Sequence, residues 1–411
     1  MVVGSAFSIL ALAYGVQYSF GVFVPLIVQE LGWQRATLGG AFSLYAMIYL
    51  GVTVFAGRLS DVLGPRLVIS AGGILIGIGL IGTSRATAEW ELFFWYGLVA
   101  ALGMSTAYIP CNITVARWFE RRRGLAVGLS SSGSSCGIFL IPLLVVFLVA
   151  TLDWRQAMGA LGAGLLLLTL VAARFMVRSP EDVGLKPDGA TAIEDAGDHR
   201  EPAELTMPNP TPVGLTFRGA LKTRPLWVFI IGFAIALVPM TVPFVHLSVF
   251  AIDLGLPRSQ GAAAVSVIGL IALVGGIALG ALSDRIGLKP TFLLALAAQG
   301  VAYLLLLTAT TAWMMFLGAT FFGIFYGGFS ATFPGLMVYL FGPRSAGTIG
   351  GFVISGGGLL GSWGPALVGY MRDVNGDYDA AFLFCFAMAS IAVGVSTLLQ
   401  KPGNSAPAKQ S

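Results

Sequence analysis

The side chains able to do chemistry in this chain are few, and they lie inside long apolar runs. His246 is one of two histidines and the only one within such a run. An imidazole titrates near neutral pH, so it can donate a hydrogen bond to a bound molecule or carry a proton. Tyr14, Gln17 and Tyr18 fall within one or two turns of each other in the first run. Tyr108 and Asn112 are four residues apart, as are Tyr326 and Ser330, so each pair shares one helix face. Pro110, between Tyr108 and Asn112, loosens that backbone. These groups suit hydrogen bonding to a small molecule. The competing reading is that the tyrosines and the histidine bridge packed helices. There is no nucleotide loop and no nucleophile–base pair in the runs. Cys111, Cys136 and Cys385 lack metal-ligand spacing. No enzyme activity, cofactor or metal is expected.

The elements that must position these residues follow from composition. Of 411 residues, 56% are apolar and 10% charged, and the mean hydropathy is +0.86. A soluble fold of this length cannot bury so much apolar surface. Runs of about 20 residues, each long enough to cross a hydrocarbon layer of about 30 Å, fill most of the chain. The expectation is an all-α membrane protein with twelve spans at 3–28, 36–56, 67–84, 90–116, 125–150, 155–176, 225–252, 260–281, 290–310, 312–340, 346–370 and 379–399. A transmembrane barrel would need short alternating strands, and these runs are continuous. Of the 23 basic residues, only Arg35, Arg85, Arg155, Arg258 and Arg372 fall on the side away from the termini. That bias predicts both termini in the cytoplasm and an inner-membrane location. The net charge of +4 therefore orients the chain in a bilayer and is no nucleic-acid signal. No Lys or Arg lies deep in a span, so a mechanism built on fixed intramembrane charge is not expected.

The chain is also repeated. Gly57-Arg58-Leu59-Ser60-Asp61-Val62-Leu63-Gly64-Pro65-Arg66 returns as Gly280-Ala281-Leu282-Ser283-Asp284-Arg285-Ile286-Gly287-Leu288-Lys289, 223 residues later. The same offset relates Gly124 to Gly347, Gly128 to Gly351, Ser132-Gly133 to Ser355-Gly356 and Pro142 to Pro365. Two like-oriented halves imply a pseudo-twofold axis along the membrane normal. The expected organisation is a six-helix bundle over 1–177, a linker over 178–222, a second bundle over 223–400 and a tail over 401–411. The linker is rich in proline, acid and glycine, and its end, Thr216 to Leu221, is expected as a short surface helix. The two motifs are read as tight turns with a mechanical role. Gly57, Arg58, Asp61 and Arg66, with Gly280, Asp284 and Arg285, are the expected gating residues. Asp61 should sit at a helix amino end or face a basic residue at the mouth of span eleven.

With these motifs the chain resembles the major facilitator superfamily over essentially its whole length. Within it, Tyr14 to Phe23, Arg117 to Ala126 and Tyr326-Gly327-Gly328 resemble bacterial relatives of the monocarboxylate transporters and oxalate exchangers. The resemblance implies two pseudo-symmetric six-helix bundles and alternating access to a site between them. It implies a small organic acid as substrate, with symport of a proton left open and resting on His246. The chain departs from that branch at Gly276, where an arginine is usual, and in span eleven, where Phe352 to Trp363 carries no lysine. The alternatives are transport of a neutral or apolar molecule, or a membrane receptor that binds without transporting. The expected partners are a small-molecule substrate and the lipid bilayer, and the expected state is a monomer.

Overall fold

The computed structural model describes residues 1–187, 214–361 and 363–400. Most of the proline-rich linker and the tail from 401 lie outside the described residues. Among the described residues, twelve helical stretches are long and apolar enough to cross a membrane. They are Val2–Val24, Thr37–Leu63, Pro65–Ser84, Glu89–Trp118, Arg123–Thr151 and Trp154–Ala173 in one half. Arg224–Leu247, Ala263–Ile286, Leu288–Leu307, Ala312–Phe341, Ala346–Arg372 and Asp379–Thr397 make the other. We number these spans one to twelve. Just before span seven, Phe217–Leu221 is a short helix whose first turn is capped by Thr216, which accepts from the Gly219 amide at 3.1 Å.

The paired motifs are mostly helix, where the sequence suggested loops. Span two continues to Leu63 and span eight to Ile286. The turn is confined to Gly64 and Gly287, with φ of 90° and 96°, which an L side chain rarely adopts. Pro65 then opens span three, where its missing N–H costs nothing. Reading the charges of Arg58 and Asp61 as a loop signal missed that a helix can run past the apolar layer before it turns.

Among the described residues, three spans depart from a continuous α-helix. Span four contains a π-helical stretch, Phe93–Ala100, and is interrupted before Tyr108–Trp118. Pro110 cannot donate to the carbonyl of residue 106, which suits a break at that point. Span seven splits at Thr241 into Arg224–Met240 and Val242–Asp253, with Pro243 in the first turn of the second piece. Pro243 leaves the Pro239 carbonyl without its helical donor, and the Tyr303 hydroxyl donates to it instead. The Gln299 amide donates to the Ala236 carbonyl beside it at 3.1 Å. Span eleven comprises Ala346–Gly361 and Gly364–Asn375. Span ten stays helical through Pro334. Irregular backbone at membrane depth is stable only where protein or a polar cavity replaces the lost partners.

Glycine sets how closely the helices approach. In the first half, spans one and five run parallel in register, with Gly133 on Phe7, Gly137 on Ala11 and Gly15 on Ile141. A Cβ on Gly137 would lie 1.9 Å from the Ala11 carbonyl oxygen, so only glycine fits. The halves meet most extensively along two crossings, span two on span eleven and span five on span eight, with span ten also against spans four and five.

Candidate functional site

At the centre, aromatic side chains from both halves converge. The Tyr14 hydroxyl in span one pairs with the Tyr49 hydroxyl in span two at 2.9 Å, and the Tyr14 ring stands edge-on to Tyr108, centroids 6.3 Å apart. Tyr18 packs on Phe244 of span seven at 6.3 Å. Phe244 in turn meets Tyr326 of span ten at 5.5 Å. Tyr18 and Tyr326, one from each half, thus both pack against Phe244 at the seam. Behind this layer Phe20, Tyr45 and Tyr96 stack, with centroids 4.0 and 4.8 Å apart. Two buried polar atoms on this side have no partner among the described residues: Gln17 Oε1 and the Tyr96 hydroxyl. None of the side chains named in this cluster carries a formal charge. The arrangement offers several O–H donors and ring surfaces to a ligand of modest size.

Asn112 organises the next layer. Its Oδ1 accepts from the Ser130 and Ser131 hydroxyls at 2.7 and 2.9 Å. The Ser330 carbonyl of span ten accepts from the Tyr108 hydroxyl and from Ser131 Oγ, both at 3.0 Å. Tyr14, Tyr18, Tyr108, Asn112, Tyr326 and Ser330 are thus brought to one central region. Gln17 is buried beside them on span one.

His246 is not among them. It lies two residues past Phe244, which in a helix turns it about 200° to the opposite face. Its Nε2 meets the Pro365 carbonyl at 2.9 Å and its Nδ1 the Tyr378 hydroxyl at 3.0 Å. A carbonyl only accepts, so Nε2 carries a proton, and in the neutral ring Nδ1 accepts from Tyr378. His246 therefore ties the second piece of span seven to spans eleven and twelve. An ion pair between Arg372 and Asp253, 3.1 Å, fastens the same two pieces further out.

On the face carrying the termini, the paired motifs lock the halves together. Asp61 accepts from the Thr348 amide and hydroxyl, both at 2.7 Å, from the Gly347 amide at 3.3 Å and from Arg117 at 2.7 Å. These amides open the helix of span eleven, so a carboxylate caps a helix amino end in the opposite half. Asp284 does the same to span five, accepting from the Gly124 and Leu125 amides at 2.7 and 2.9 Å. The contacts are related by the 223-residue offset of the sequence repeat. Gly57 lies against the Gly347 carbonyl and Gly280 against that of Gly124. Arg58, Arg66 and Arg285 are exposed and take no part in these bonds. Arg117, which also donates to the Pro343 carbonyl at 2.7 Å, was visible in sequence only as one basic residue in a charged run. Further along the same crossing, the Ser355 hydroxyl donates to the Leu50 carbonyl at 2.7 Å and accepts from the Val54 amide. Gly276, where the resemblance called for arginine, is packed among Gly128 and Gly327 in the crossing of spans five, eight and ten. A Cβ on Gly276 would lie 3.4 Å from the Gly327 carbonyl oxygen and 3.7 Å from that of Gly128.

On the other face Glu30 accepts from Arg155 and from the Trp154 indole. The Arg155 hydrogen bond, then that of Trp154, lowers the Glu30 carboxyl below its usual range. The pair joins span one to span six and is solvent-exposed, so its contribution to stability is small.

A model of the Major Facilitator Superfamily matches residues 6–365 and 240–411. Among curated proteins, the chain is 28% identical over 397 residues to mouse "Monocarboxylate transporter 11", covering 94% of this chain and 83% of that one. It is 30% identical over 404 residues to rat "Monocarboxylate transporter 13", covering 96% and 87%. Among solved structures it matches the proton:xylose symporter XylE with a TM-score of 0.75 at 13% identity, covering 97% of this chain and 96% of that chain. It matches the human organic anion transporter MFSD10 with a TM-score of 0.69 at 16% identity, covering 97% and 99%. Fold, repeat and family model agree: the chain belongs to the Major Facilitator Superfamily of transporters, and it is not an enzyme.

Proposed function

We propose that this transporter moves a small organic acid of the monocarboxylate class across the cytoplasmic membrane by alternating access. The observation that carries the reading is the meeting of Tyr14, Tyr18, Tyr49, Tyr108 and Tyr326 from both halves. Tyrosine hydroxyls donate well to a carboxyl oxygen, and the rings accept its apolar portion. The relatives named monocarboxylate transporters point to the same class. The basic residues crowd the terminal face, which makes that face cytoplasmic. Residues 1–177 and 223–400 are the two moving units, and 178–222 tethers them.

Among the described residues no cationic side chain joins the central hydroxyl cluster. An ionised carboxylate buried there would lack a counter-charge, which is costly. The acid is therefore carried together with its proton, and His246 serves to brace span seven. Uptake should rise as external pH falls, because the protonated fraction of the acid rises. The test is uptake of labelled pyruvate into proteoliposomes of the full chain at pH 5.5 to 8, with Tyr18→Phe and Tyr326→Phe alongside. Saturable, acid-stimulated uptake that falls roughly tenfold in the double variant is expected, which is what losing one or two hydrogen bonds supplies. Uptake of pyruvate equal to that of protein-free vesicles refutes it. A neutral polar solute is the second reading, supported by the same uncharged centre, and flux of such a solute without pH dependence would favour it.

A further inference from the structure

The Ser330 carbonyl has a chemical reason to be where it is. In an α-helix it would accept from the amide of residue 334, and that residue is Pro334, which has no N–H. The carbonyl is thus left without its helical donor, deep in span ten. Its two acceptor directions are taken by the other half of the molecule, through Tyr108 of span four and Ser131 of span five, each at 3.0 Å. These bonds cross between the halves near the centre, well above the Asp61 and Asp284 caps. The Ser131 hydroxyl is not committed to Ser330 alone. Ser131 has one proton and two acceptors in reach, the Ser330 carbonyl and Asn112 Oδ1 at 2.9 Å. Tyr108 stands edge-on to Tyr14 in the aromatic cluster.

We propose that the carbonyl freed by Pro334 is a latch that the substrate itself opens. With the centre empty, Tyr108 and Ser131 donate to Ser330 and hold spans four and five against span ten. A substrate bearing a strong acceptor, such as a carboxyl oxygen, competes for the same protons. Once it takes the Tyr108 hydroxyl, and Ser131 turns to Asn112 or to substrate, the crossing bonds are gone and the halves are free to part on the terminal face. Binding then favours the open form because it removes a bond that exists only in the closed one. The substrate half of this inference rests on the organic-acid reading above. The latch half rests on Pro334, Ser330, Tyr108 and Ser131 alone.

The two halves of the inference separate experimentally. Leu63 and Ile286, both exposed at the ends of spans two and eight, are equivalent by the repeat and report the width of the terminal face. Spin labels at Leu63→Cys and Ile286→Cys in the full chain, with Cys136→Ser, give that distance in nanodiscs. Pro334→Ala restores an amide that competes for the Ser330 carbonyl and leaves both hydroxyls in place. It should widen the terminal face in a larger fraction of molecules without ligand, and an unchanged distribution overturns the latch. Tyr108→Phe/Ser131→Ala, which keeps the ring packing, should also start wider and should no longer respond to pyruvate. If the double variant matches the parent without ligand and opens with pyruvate as the parent does, the exchange is refuted while the organic-acid reading stands. A pyruvate response absent from every form refutes the organic-acid reading and the exchange with it, and the Pro334→Ala distances still decide the latch. Monodisperse elution and a thermal transition near that of the parent show that each variant is folded.

Discussion

Gly57→Leu is expected to abolish transport and leave a folded protein that still binds substrate. A Cβ at residue 57 would sit 2.1 Å from the Gly347 carbonyl oxygen and 2.7 Å from its carbon. Backbone on both sides forms this contact, so no side chain can rotate out of the way. Spans two and eleven must separate by more than an ångström, and a leucine demands more. The Thr348 and Gly347 bonds to Asp61, one helical turn further on, cannot survive that separation. The form closed on the terminal face is lost, and with it the cycle. Apart from Tyr49 of span two, the aromatic centre is built on spans one, four, seven and ten, and that part should remain. Flux at background with substrate affinity near that of the parent is the expected pair of results. Normal flux would show that the two helices never meet as described.

The second large effect is expected from the caps. Asp61 is 8% exposed and accepts from two backbone amides, a hydroxyl and Arg117. Asp61→Asn removes the charge that holds Arg117 and weakens each bond to the span-eleven amino end. Stranding a buried partner of an ion pair costs about 3–5 kcal/mol. At about 1.4 kcal/mol per tenfold, the closed form should lose a hundredfold or more in population. Asp284 is the pseudo-symmetric cap, but it faces solvent and receives two amides, without a matching arginine bond among the described residues. Asp284→Asn should therefore impair turnover less than Asp61→Asn. Initial rates at saturating substrate measure both, and a larger defect at Asp284 would contradict the ranking.

Legibility of the fold and of the site differed for physical reasons. The twelve spans follow from run length and hydropathy, which act locally, and the two halves follow from a register that repeats in the chain. The depth of the motifs did not follow, because a charged residue is as stable on a helix beyond the lipid as on a loop. Tyr14 and Tyr18 could be placed on one helix face by spacing alone. Their partners Tyr49 and Phe244 could not, since those contacts depend on how distant helices cross. Thr348 and Ser131 were hidden for the same reason. Pro334 could have been read: a proline inside a helix frees the carbonyl four residues back, and that residue, Ser330, was already among the candidates. His246 stood out because titratable groups are scarce in the spans. Its position two residues from Phe244 was the clue that both could not face the centre.

In alternating access, the two sister bundles close on the terminal face around an uncharged aromatic core and open there when the other face closes. Gln34 and Pro257 are exposed at the outer starts of spans two and eight and are equivalent by the repeat. Label pairs at Gln34→Cys/Pro257→Cys and at Leu63→Cys/Ile286→Cys can be followed in one buffer, before and after Asp61→Asn. Opposite shifts are expected, with the terminal-face distance widening and the opposite-face distance shortening. Distances that move together, or only on one face, would contradict it.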